Sequence, residues 1–104
     1  MTAFGSRGVT ATPHARVAAV EGAAVDLMTF APGAVLGQHP TRLWQLFALV
    51  AGHGWVSGSA GVRVLLAAGE CVVWEPGEQH ESGTDDGMVA LVIQTPAPPL
   101  PDLV

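Results

Sequence analysis

The sequence contains no Lys, no Asn and no Tyr, and only one Ile and one Cys. Each shortage excludes something. With no Lys, and four Arg against nine acidic residues, the formal net charge is −5. A phosphate-binding surface needs clustered cations, so composition excludes a nucleic-acid partner. The single Cys, Cys71, has no internal disulfide partner, and this usage fits a reducing cytoplasm. Charged residues are only 12% and hydrophobic residues 49%, which excludes a disordered chain. No run reaches the roughly 18 apolar residues of a membrane-spanning helix. The first residues lack the basic-then-apolar pattern of a secretion signal. The expectation is a cytoplasmic protein with no membrane partner. The skew away from Asn, Lys, Tyr and Ile points to a GC-rich bacterial genome, which is coding bias and carries no functional meaning.

What is present is one domain's worth of short apolar segments punctuated by Gly and Pro. A chain of 104 residues builds one core. Residues 1–14 read as an arm or a short edge strand, with His14 solvated. Residues 15–20 and 23–30, separated by Glu21-Gly22, read as a hairpin. Ala31-Pro32-Gly33-Ala34 reads as a turn, and so does Gly52-His53-Gly54, with His53 facing solvent. Residues 55–57 and 62–66 form a further hairpin around Gly58–Gly61. Cys71 to Trp74 is a short strand in which Cys71 serves as a small buried apolar residue. Glu75 to Gln79 is a turn delivering His80, residues 83–87 are another, and 88–94 are the last strand. The pattern gives about eight short strands and no amphipathic helix, as in an all-β sandwich or barrel. The segment 95–104 holds four of the eight Pro and runs as an extended tail over the surface.

Alternation by two assigns faces. His39, Thr41, Leu43, Gln45, Phe47 and Leu49 share one parity, which is secure from Gln45 onward. The other parity is also apolar from Trp44 to Val50. A strand that is apolar on both sides needs cover on both. The simplest second cover is another copy of the chain, so a homodimer is expected. Trp44, Trp55 and Trp74 read as core or interface anchors.

Two stretches carry a distinctive spacing. In the first, Gly33 is followed after five residues by His39, then after one by Thr41, after three by Gln45 and after six by Gly52. In the second, Gly69 is followed after five by Glu75, after one by Gly77 and after two by His80. Together they resemble the paired motifs of the cupin family, a Gly, His-x-His, Glu and Gly in the first and a Gly, Pro-x-Gly and His in the second. The resemblance covers about half of the chain. It implies an all-β, double-stranded β-helix (jelly-roll) barrel over 15–94, with 1–14 as the arm and 95–104 as the tail. It departs from the family at the metal positions. His39 and His80 are kept, Thr41 stands for the second His, and Gln45 stands for the Glu. Glu75 stands for the Pro, with Pro76 one place later.

The resemblance further implies that His39, Thr41, Gln45 and His80 point to one spot inside the barrel. His39, Gln45 and His80 would then be the ligands of one divalent transition metal, Zn, Ni, Fe, Mn or Cu, if one is bound. Two imidazoles are good donors, whereas a Gln carbonyl is neutral and weak. Glu75 or Glu81 turned inward would supply the missing carboxylate; otherwise Glu70, Glu75, Glu78 and Glu81 form a solvated rim. Without a metal, the two His bond to each other, to Gln45 or to a small ligand.

Two functional readings follow. In the first, the barrel binds a small molecule, oriented by Thr41 and Gln45 and packed against Phe47 and Trp74. In the second, it is a metal-dependent cupin enzyme of dioxygenase, isomerase, lyase or decarboxylase type, with His80 or Glu75 as acid or base. The retained residues are those of the fold and the altered ones those of the metal centre, which tips the balance toward binding.

Overall fold

The computed structural model describes residues 7–15 and 23–99. They form seven strands: β1 (Arg7–Ala15), β2 (Ala24–Pro40), β3 (Trp44–Ser57), β4 (Arg63–Ala67), β5 (Cys71–Trp74), β6 (Gln79–Gly83) and β7 (Met88–Thr95). There is no helix among the described residues, so none long and apolar enough to cross a membrane.

Two long strands organise the barrel, because each changes partners half-way. The first half of β2 pairs with β1 and β7, and its second half with β6. The first half of β3 pairs with β5 and β7, and its second half with β4 and β6. The result is two sheets sharing β2 and β3, in the orders β1-β2-β7-β3-β5 and β2-β6-β3-β4. All pairings are antiparallel.

The corners of these strands correct two expectations. Pro32-Gly33 and Gly52-His53-Gly54 do not reverse the chain; they bend β2 and β3 from one sheet into the other. Gly33 has φ +77° and Gly52 has φ +82°. A glycine with positive φ serves a tight turn or a bend equally well. At Gly52 the bend also needs space, because a Cβ there would lie 2.3 Å from the Gly87 carbonyl oxygen, whereas nothing lies within 4 Å at Gly33. Gly33→Ala is therefore expected to cost about 1–2 kcal/mol, from the left-handed backbone alone. Gly52→Ala should cost distinctly more. Equal losses in urea unfolding would contradict this account of the second corner.

Thr84 ties the corners together. Its hydroxyl donates to the His53 carbonyl at 2.6 Å and accepts from the Gly87 N–H at 2.9 Å. Its own N–H donates to the Ala34 carbonyl at 3.1 Å. Thr84 is 2% exposed, so these bonds have no water to replace them. Thr84→Val keeps the shape and removes both hydroxyl bonds. A loss of about 1–3 kcal/mol in chemical denaturation is expected.

The N-terminal hairpin also differs. The strand opposite residues 25–30 is β1, with Val9 facing Phe30 and Ala15 facing Val25. The expected Glu21-Gly22 turn and most of the expected strand over 15–20 lie outside the described residues. β1 has β2 as its partner and stands at a sheet edge. Cys71, expected to be buried, is exposed. It faces Ala48 across β5 and β3, and that pair belongs to the outward parity, while Val72 and Trp74 point in. His39 lies on β2 directly opposite His80 on β6.

The core fills the closed part of the barrel. Phe30 and Phe47 meet edge to face, with ring centroids 6.3 Å apart. Around them lie Leu49, Val56, Met88 and Ala90. Trp55, next to Val56, takes the other face, where it lies on Gly83 and under the Arg63 guanidinium, 3.8 Å from the ring centroid. The outer side of β3 and β7 is partly lined by the start of the tail. Thr95–Pro99, with Leu46 and Ile93, border a surface hollow of about 440 Å³.

Candidate functional site

The expected interior parity holds from Gln45 onward. Gln45, Phe47 and Leu49 are buried, while Leu46 and Ala48 are half-buried and Val50 is exposed. Cross-strand register then sets the tiers. Gln45 faces Gln94 on β7 and Trp74 on β5, and Phe47 faces Val92 and Val72. On the opposite wall His39 faces His80. The loop after β2 is fastened to the turn before β6. Gly77 N–H donates to the Thr41 carbonyl at 2.6 Å, and Thr41 N–H to the Glu78 carbonyl at 3.4 Å. The two spaced motifs therefore meet through backbone bonds.

Between these walls lies a cavity of about 260 Å³. Its polar wall consists of Asp26, His39, Gln45, His80, Ser82 and Gln94. Met28, Leu36, Phe47, Trp74 and Val92 supply the apolar wall. Of the residues singled out in the sequence, His39, Gln45, Phe47, Trp74 and His80 thus come together. Thr41 does not line the cavity. It is buried, and its hydroxyl donates to the Leu43 carbonyl at 2.8 Å. Glu75 is exposed in the turn, where its N–H donates to Glu78 Oε1 at 3.0 Å. Glu81 accepts from the Ser57 hydroxyl at 3.3 Å. None of the four rim glutamates lines the cavity.

Sequence reasoning missed Asp26, Ser82 and Gln94, which no motif marks. Alternation marks them: Asp26 shares parity with Met28 and Phe30, Ser82 with His80, and Gln94 with Val92 and Ala90.

His80 is the centre of the wall. Its ring is stacked on Trp74, with centroids 5.1 Å apart and planes 10° from parallel. The His39 ring centroid is 4.4 Å away. His80 Nδ1 lies 3.3 Å from the Glu78 carbonyl. A carbonyl only accepts, so in the neutral ring Nδ1 carries the proton and Nε2 presents a lone pair. His39 Nδ1 lies 2.8 Å from the Gly37 carbonyl by the same arrangement. Among the described residues both His80 Nε2 and Ser82 Oγ are buried without a hydrogen-bond partner, and both residues are 2% exposed. Burial, with repulsion from His39, pushes the His80 pKa down from 6.5 to about 4; the Glu78 carbonyl opposes this. The ring is neutral at physiological pH.

The donor set does not fit the metal centre that the resemblance implies. Such a centre needs three or four N, O or S donors. Here two imidazoles are joined by the neutral Gln45 amide, and the carboxylate on the cavity wall is Asp26, on β2, rather than a Glu of the rim. Among the described residues no group of three His, Cys, Asp or Glu is placed to hold a metal ion.

No family model and no curated protein matches the sequence. Solved structures do match the fold. An RmlC-like cupin from Shewanella frigidimarina superposes with a TM-score of 0.77 at 23% identity, over 93% of this chain and 82% of that one. A cupin-like protein from Thermotoga maritima gives 0.77 at 23% identity, over 86% and 69%. A predicted oxalate decarboxylase from the same organism gives 0.77 at 20% identity, over 88% and 84%. At these identities the likeness is one of fold.

Proposed function

We propose that this chain, a cupin barrel by fold, is a binding module that takes a small organic molecule into the barrel without a resident metal. One observation carries the reading: His80 and Ser82 line one cavity, and their buried Nε2 and Oγ have no hydrogen-bond partner among the described residues. A buried polar group left unpaired costs about 1–3 kcal/mol. A ligand that pairs both atoms recovers that cost and gains the apolar wall besides. The volume is slightly below the usual 300–1,000 Å³ range of small-molecule pockets, so the ligand is small. Acid–base catalysis is less well supported, because a base serves best with a pKa near the working pH. His80 is held near 4, and Glu75 lies outside the cavity.

The test is a thermal-shift screen of small organic molecules on the wild type, His80→Ala and Ser82→Ala. A ligand at a hundred times its Kd stabilises by about 2.7 kcal/mol. Such stabilisation in the wild type, weakened in both variants, is expected. Binders indifferent to both substitutions would contradict the reading.

A second copy of the chain is the proposed macromolecular partner. Val50, Val62, Val64 and Leu65 are 54–80% exposed, and a two-fold pair would cover such outward apolar side chains. Light scattering should give twice the mass of one chain; the mass of one chain would refute it.

A further inference from the structure

The chemistry of the occupant follows from the balance of donors and acceptors in the cavity, if the barrel is a small-molecule pocket as proposed above. His80 Nε2 presents a lone pair, since Nδ1 is turned to the Glu78 carbonyl. The Asp26 carboxylate only accepts. It is half-buried on β2, in register with Val92, and makes no ion pair among the described residues. Ser82 Oγ, Gln45 and Gln94 both donate and accept. Among the described residues no Arg lines the cavity, and the sequence has no Lys. Arg42 borders a separate surface hollow with Leu43 and Gln94.

Among its described residues the wall therefore holds one carboxylate and an imidazole lone pair, and neither Lys nor Arg. A carboxylate ligand would meet the Asp26 carboxylate and the His80 lone pair, facing the neutral donors of Ser82, Gln45 and Gln94. An ammonium group meets the opposite situation, since a carboxylate and an imidazole nitrogen both accept from N–H. The apolar wall takes a short hydrocarbon body. His80 and Ser82, both 2% exposed, line the same cavity, and among the described residues His80 Nε2 and Ser82 Oγ have no hydrogen-bond partner.

We infer that the barrel selects a small primary amine or amino alcohol, with its ammonium group on the Asp26 carboxylate and an N–H or O–H donor on His80 Nε2. Asp26 is then the specificity-determining residue, and organic acids are excluded.

The experiment uses probes matched in carbon frame and differing in the polar group: benzylamine, benzyl alcohol and benzoate, and isobutylamine, isobutanol and isobutyrate. Affinities are measured by NMR titration of the full chain in the wild type, Asp26→Asn, Arg42→Ala and His80→Ala. Within a frame the amine should bind about tenfold or more tighter than the alcohol, as a charge-assisted hydrogen bond gives, and the acid should bind weakest. Asp26→Asn should bring the amine level with the alcohol, with the spectrum otherwise unchanged. Arg42→Ala should leave the order intact.

Acids binding as tightly as amines, or an order indifferent to Asp26→Asn, would overturn the amine class. If those probes still lost affinity in His80→Ala, the pocket itself would survive. Absence of binding by every probe would overturn both.

Discussion

Lowering the pH from 7 to 4 is expected to destabilise the fold by on the order of 3 kcal/mol through His80 alone, and His80→Gln is expected to abolish that part of the loss. The folded pKa, about 4, lies below the value of 6.5 for an unburied His. Between the two values the unfolded chain binds the proton and the folded chain does not. Acid therefore favours unfolding across that window. The stabilisation of the neutral ring is complete above pH 6.5, declines as the pH falls, and has nothing left to lose below about 4. Desolvation is the larger cause and the His39 ring, 4.4 Å away, the second. Carboxylates elsewhere also lose stability in acid, so the informative quantity is the difference between the wild-type and His80→Gln curves. Urea unfolding at intervals from pH 4 to 7.5 gives both. Parallel curves would contradict the account of a buried neutral imidazole.

Trp74→Ala should cost about 3–5 kcal/mol, the largest loss expected of a substitution at the cavity wall. Trp74 is 6% exposed and covers the face of His80 with its planes 10° from parallel. It also faces Gln45 across β5 and β3, and a Cβ added at Gly58 would lie 3.4 Å from the indole. Removing the indole leaves a void, uncovers the His80 ring, and enlarges the cavity. Two readouts are expected to move together. Unfolding stability falls, and the window of acid sensitivity narrows as His80 becomes hydrated. Trp74→Phe keeps an aromatic face and should lose less. A loss below about 1 kcal/mol in Trp74→Ala would mean that the stack contributes little.

The sequence was most legible where glycines and polar residues bound a short apolar run. Cys71–Trp74 and the last strand lie where alternation and turn signals put them. The interior parity of Gln45, Phe47 and Leu49 was equally plain. Legibility failed at the corners. Pro32-Gly33 and Gly52-His53-Gly54 carry the same local signal whether the chain reverses or bends. Which of the two occurs depends on partner strands distant in sequence, here β6 and β7. Cys71 was misjudged because a small apolar residue in a strand fits either face, and register decides. In the site, motif spacing found His39, Gln45 and His80, and parity and position added Phe47 and Trp74. Asp26 and Gln94 share the inward parity of their apolar neighbours, but that this parity brings them to the same cavity is known only from strand pairing. The rim glutamates drew attention because they cluster in sequence, yet the one carboxylate lining the cavity comes from β2.

The proposal of a barrel that binds a small organic molecule without a resident metal stands or falls on its metal content. The most direct test is metal content by elemental mass spectrometry, on untagged protein purified without chelator, with His39→Ala and His80→Ala alongside. The account predicts well under one transition metal per chain, with no consistent change in either variant. Near-stoichiometric metal in the wild type, lost in both variants, would contradict it.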